Sequence, residues 1–168
     1  HLNELVHHIK QLVNPTDIDY LIVNHVEMDH SGSLPEIVDL VKPEKIFCSK
    51  MGLKAINEHL HPEGWPLEAV ENGQIISLGS KTVQFLETRM LHWPDSMFSY
   101  FPEDKLLISS DAFGQHLASS ERFDDEVDFS ELMEQTSKYY ANILTLYSPL
   151  IKKLLAKVQE LGLEIDMI

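Results

Sequence analysis

Residues 19–32 read DYLIVNHVEMDHSG, and this stretch decides both the fold class and where function should be sought. Its first half, DYLIVN (19–24), is a short apolar run dense in Ile and Val, the pattern of a buried strand. Directly after it come His25, Glu27, Asp29 and His30, all metal-capable side chains. In an extended segment side chains alternate, so His25, Glu27 and Asp29 are expected to project one way, with His30 at the turn. Met28 is then expected to point the other way, into the core. Glu27 and Asp29 repel each other, and a desolvated carboxylate pair without a cation is driven toward its protonated form. A divalent or trivalent metal removes that conflict.

Working outward, two further strand-like runs end the same way. TVQFLETRML (82–91) delivers His92, followed by Trp93-Pro94-Asp95, and LLISS (106–110) delivers Asp111. Singly, His92 reads as a loop histidine and Asp111 as a helix N-cap. Together with the first cluster they read as ligands converging on one rim of a sheet.

The remaining chain places these ends in a layered architecture. Apolar spacings of three and four predict helices over 2–13, 33–41 and 50–60, with Pro35 in a first turn where its missing N–H costs nothing. KIFCS (45–49) reads as a second buried strand. Asn72-Gly73 and Gly79-Ser80 punctuate 75–78 and 82–88, and with 97–101 and 106–110 these runs predict an antiparallel meander. Helical periodicity returns over 130–147 and 148–161, broken near Ser148-Pro149 and closed by Gly162. LEIDMI (163–168) predicts one more strand. Helices flanking an early α/β part and a middle hairpin part indicate an α/β, layered αββα fold.

Composition narrows the function. The 168 residues carry 13 basic and 27 acidic side chains, a net charge of −14, with nine histidines and one cysteine. Without a basic cluster, nucleic-acid binding and anionic membrane surfaces are disfavoured, since Lys and Arg supply most of that affinity. No apolar run approaches the roughly 20 residues that span a bilayer. Cys48 has no partner for an intramolecular disulfide, which suggests a reducing, cytoplasmic setting. No repeat or linker divides the chain, so residues 1–168 read as one domain.

Ligand chemistry selects the metal. Sets of three His suit zinc, whereas mixed His and carboxylate sets suit iron and manganese. His25, Glu27, Asp29, His92 and Asp111 make a carboxylate-heavy set large enough for two ions, and Asp111 can bridge them through its two oxygens.

The runs YLIVNHVEMDHSGSLPEI, MLHWPDSMFSY, SSDAFGQH and DEVDFSELMEQTSKYYANIL resemble the metallo-β-lactamase-like domain of the flavodiiron proteins, and the similarity covers essentially the whole chain. The resemblance implies an αββα sandwich holding two irons, which reduces dioxygen to water or nitric oxide to nitrous oxide. It implies His25, Glu27 and His92 on one iron, Asp111 as the bridge, and Asp29 on the other iron. His30 matches a position that ligates the second iron in some members. The family's final histidine ligand lies beyond the strand equivalent to 164–168, and a pair of strands precedes the helix at 2–13. The chain is therefore expected to be an internal fragment. In the family, FMN sits on a C-terminal flavodoxin domain and serves the irons of a neighbouring subunit in a head-to-tail homodimer, supplied by rubredoxin or a flavin reductase.

Two other functions fit the same ligands. A zinc hydrolase of the superfamily would use a metal-activated water, but Glu27 stands where that pattern needs histidine. A diiron oxygen sensor would bind dioxygen without turnover. Of the aromatic residues, Trp93 is expected to shield a pocket, and Tyr100, Phe113, Tyr139 and Tyr140 to serve as packing. His7, His8, His59, His61 and His116 are expected at the surface.

Overall fold

The computed structural model describes all of residues 1–168. Seven strands form two sheets. Strands β1 (Tyr20–Val23), β2 (Lys45–Ser49) and β3 (Leu67–Val70) are parallel, with β2 in the centre. Their crossovers carry helices α3 (Leu34–Val41) and α4 (Lys50–Leu60), which follow α1 (Leu2–Leu12) and a single turn, α2 (Met28–Ser31). The second sheet is an antiparallel meander of β4 (Ile75–Ser77), β5 (Thr82–Glu87), β6 (Met97–Phe101) and β7 (Leu106–Ile108). Helices α5 (Phe129–Tyr139) and α6 (Ser148–Glu160) follow.

Side-chain alternation builds the layers. On β2, Phe47 faces the second sheet and packs with Val70, Val83, Phe85 and Met97, while its neighbour Cys48 faces α4 and packs with Val26 and Ile56. On β6, Met97 joins the inter-sheet core, whereas Phe98 and Tyr100 point outward with Leu86 and Leu107 toward Leu154 of α6. A period of two on each strand thus fills three apolar layers in turn, giving helix, sheet, sheet, helix. This is the expected αββα order.

Several expectations are corrected. The DYLIVN strand is only partly buried, because β1 lies at the edge of its sheet. Leu67–Val70 forms a strand that its four residues do not announce; parallel pairing with β2 creates it. The helix expected over 130–147 ends at Tyr139 and continues as a π-helical turn, Tyr140–Leu144, and a 3-10 turn, Thr145–Tyr147. The strand expected at 163–168 is one isolated parallel bridge, Leu106 to Met167. Helix α1 forms as its spacing predicts, but none of its residues is buried.

The two sheets are stitched at the end where the ligands lie. The Met97 N–H donates to the Asn24 carbonyl at 3.0 Å. The Asn24 side chain accepts from the Ser99 hydroxyl at 2.7 Å and donates to the Ile108 carbonyl at 3.3 Å. One residue just past β1 therefore bonds to both β6 and β7, and fixes the rim on which the first ligand follows.

Candidate metal centre

The candidate ligands follow the C-terminal ends of β1, β5 and β7. His25 is almost wholly buried, at 3% exposure. Its Nε2 lies 3.2 Å from Glu27 Oε2 and 3.3 Å from Asp111 Oδ2. His92 Nε2 stands 3.4 Å from the same Asp111 oxygen, and His30 Nε2 meets the other, Oδ1, at 2.7 Å. His25, His30 and Asp111 bring one donor atom each within 4.8 Å of one another, and so do Glu27, His92 and Asp111. Asp111 belongs to both groups, with its two oxygens turned to different partners.

Five of the six expected ligands meet here. Asp29 is the exception in placement: its carboxylate is 73% exposed, and its nearest charged partner is His30 at 3.6 Å. The expected alternation fails because the segment is not extended past Glu27. The Glu27 carbonyl accepts from the N–H groups of His30 and Ser31 at 2.9 and 2.8 Å, which closes the turn of α2. The Ser31 hydroxyl also donates to the Val26 carbonyl at 2.7 Å. That turn brings His30 inward and turns Met28 outward to 61% exposure, against the expectation of a core position. Gly32 permits it, since a Cβ there would fall 2.5 Å from the Met28 carbonyl oxygen. Gly114 serves the Asp111 loop in the same way, where a Cβ would lie 2.8 Å from the Asp111 carbonyl oxygen.

The loops bearing His92 and Asp111 hold backbone strain. Met90, Ser110 and Phe113 adopt left-handed φ values of 65°, 57° and 66°. Such conformations cost energy in residues with side chains and collect at functional sites. The hydroxyls of Thr88 and Ser110, beyond the ends of β5 and β7, are buried without a partner.

Asp95, which carried no signal in the sequence beyond following Trp93-Pro94, is a buried carboxylate behind the ligands. Both of its oxygens lie 3.3 Å from His25 Nδ1, and one accepts from the Val26 N–H at 2.7 Å. Burial opposes the charged imidazole of His25. The hydrogen bond and charge of Asp95, then Glu27 and Asp111, outweigh it and hold His25 above its ordinary pKa. Burial likewise pushes Asp95 up, but His25 and the Val26 amide prevail and hold its carboxyl below the usual range.

Aromatic residues border the site. Trp93 lies edge-on to His25, with ring centroids 5.8 Å apart. Tyr100 is a core residue, as expected, whereas Phe113 is 57% exposed rather than packed. Tyr139 is buried and meets the ring of surface-exposed His116 at 5.0 Å. Burial, then the negative charges of Asp111, Glu27 and Asp29, push its phenol upward.

A layered αββα fold with mixed histidine and carboxylate donors on one rim defines a metallo-β-lactamase-like chain with a candidate metal centre. Residues 1–168 match the family described as ODP family beta lactamase along their whole length, and the chain belongs to that family. It is 49% identical over 146 residues to a rubredoxin-oxygen oxidoreductase of Megalodesulfovibrio gigas, covering 87% of this chain and 36% of that protein. It is 44% identical over 165 residues to a nitric oxide reductase of Moorella thermoacetica, covering 98% and 41%. The solved structure of rubredoxin oxygen:oxidoreductase from Desulfovibrio gigas superposes with a TM-score of 0.97 at 43% identity, covering 99% of this chain and 42% of that one. The chain thus spans well under half the length of these relatives. They bear out the resemblance to flavodiiron proteins and the fold it implies.

Proposed function

We propose that residues 1–168 form the diiron domain of an oxidoreductase that reduces dioxygen to water, nitric oxide to nitrous oxide, or both. The observation that carries this reading is the sharing of Asp111 between two donor groups, His25 with His30 and Glu27 with His92. The donor set fits iron: three imidazoles and three carboxylates are too rich in oxygen for a three-histidine zinc site and numerous enough for two ions. In this reading His25, Glu27 and His92 hold one iron, Asp111 bridges, and Asp29 and His30 serve the other. Two ferrous ions, when bound, supply two electrons together to a diatomic substrate.

The chain's residues supply the frame for that chemistry. Asp95 bonds His25 from behind and so orients its Nε2 toward Glu27 and Asp111. Trp93 stands edge-on against His25 at the border of the site. Reduction of dioxygen to two waters takes four electrons and four protons, and reduction of two nitric oxides to nitrous oxide and water takes two of each. The electrons come from FMN on a flavodoxin domain of the whole protein, reached across a head-to-tail homodimer and refilled by rubredoxin or a flavin reductase. The name of the rubredoxin-oxygen oxidoreductase supports rubredoxin as the donor, and the 36–41% of the relatives' length that the chain spans is consistent with a further domain in the whole protein. The setting proposed is cytoplasmic. No helix is long and apolar enough to cross a membrane, and a net charge of −14 argues against nucleic acid as a partner.

The test is consumption of dioxygen and nitric oxide by the iron-loaded chain supplied with reduced flavodoxin. Iron-dependent consumption, lost in Asp111→Ala, supports the reading. Thioester hydrolysis by a zinc-loaded chain that leaves both gases untouched would replace it with a hydrolase.

A further inference from the structure

Metal-binding histidines use one ring nitrogen for the ion and give the other N–H to an acceptor, which fixes the tautomer and the ring plane. His25 is the most buried of the candidate ligands, and both of its nitrogens are spoken for. Nε2 faces Glu27 and Asp111, while Nδ1 sits 3.3 Å from each oxygen of Asp95. Asp95 is itself 3% exposed and anchored at two points besides His25. Its carboxylate accepts from the Val26 N–H at 2.7 Å, and its main-chain carbonyl accepts from the Ser49 hydroxyl at 2.7 Å. Ser49 in turn caps α4, accepting from the Gly52 N–H at 2.9 Å. A line of hydrogen bonds therefore runs from the end of β2 and the start of α4, through Asp95, to the back of the first ligand.

We infer that Asp95 is a positioning residue for the metal centre: it accepts a hydrogen bond from the Nδ1–H of His25, which keeps the proton on Nδ1 and leaves the Nε2 lone pair aimed at the site. The inference rests on the diiron reading for its metal, but the tautomer it assigns belongs to the chain alone. A purely structural role would need only the Val26 and Ser49 bonds, and either nitrogen of His25 could then carry the proton.

Asp95→Asn separates the two roles. Asparagine has one acceptor oxygen, which the short Val26 bond retains, and its amide N–H₂ then faces His25 Nδ1 and forces the proton to Nε2. Nitrogen-15 NMR of the metal-free chain at alkaline pH, with the ring neutral, should show His25 protonated on Nδ1 in the wild type and on Nε2 in Asp95→Asn. Iron affinity, measured by chelator competition, should fall about 10–100-fold in the variant. A wild-type His25 protonated on Nε2 would overturn the inference, as would a folded Asp95→Asn chain with unchanged iron affinity. If the variant fails to fold, the wild-type tautomer decides alone. A wild-type chain that binds no iron would count against the diiron reading and leave the tautomer test standing.

Discussion

The carboxylate of Asp111 and the imidazole of His30 meet at 2.7 Å, on the oxygen of Asp111 that neither His25 nor His92 approaches. One carboxylate thus faces histidines on both sides, which is the relationship a bridging ligand requires. Asp111→Ala should lose both metals together, whereas His92→Ala should deplete mainly one. Elemental analysis of the two variants checks this, and equal fractional loss in both would contradict the bridge.

His30 and Asp29 are neighbours with unequal placement. His30 is turned inward by α2 and paired with Asp111, while Asp29 remains 73% exposed. His30→Ala should therefore weaken binding of the second iron more than Asp29→Ala does. Titration of each variant with ferrous iron under anaerobic conditions gives the comparison, and a larger loss in Asp29→Ala would mean that the exposed carboxylate moves in to become the principal ligand.

Asn24 ties the ends of β1, β6 and β7 together. Asn24→Ala removes two side-chain hydrogen bonds and orphans the hydroxyl of Ser99, which is 1% exposed. Leaving a buried polar group unpaired costs about 1–3 kcal/mol. Urea unfolding should show a loss of that size, and Asn24→Ala combined with Ser99→Ala should recover part of it, because the orphaned group is then gone.

Cys48 lies at 0% exposure on the α4 side of β2, and burial, with the charge of Asp95, pushes its thiol up to about 12. The folded chain keeps this proton over a pH range in which the unfolded chain releases it. Stability from this group is therefore full at neutral pH and falls as pH rises from the ordinary thiol value toward 12, by up to about 1.4 kcal/mol per pH unit. Unfolding curves at pH 8 and pH 10 should differ less for Cys48→Ala than for the wild type, whose stability drops further. The same burial predicts that iodoacetamide labels Cys48 only after unfolding.

The sequence was informative where residue types were dense and local rules sufficed. HVEMDH after an apolar strand, and lone ligands after two other strands, revealed the rim, because ligand-type side chains so concentrated have few other uses. The meander was legible from Gly73 and Gly79, and the alternating apolar residues of β5 and β6 from their period of two. What escaped depended on contacts distant in the chain. Asp95 is one carboxylate in a nine-residue connection, and only folding brings it behind His25, 70 positions earlier. The turn of α2 follows from backbone approach at Gly32 rather than from helical periodicity, so the alternation expected past Glu27 does not hold and Met28 faces solvent rather than the core. β3 exists through its pairing with β2, and four residues carry too little pattern to announce it.

The most direct test of the diiron centre is the metal content of the chain purified anaerobically from iron-replete cells. About two irons per chain are expected, falling toward none in Asp111→Ala. Zinc in place of iron, or the same iron content in the wild type and Asp111→Ala, would contradict the account.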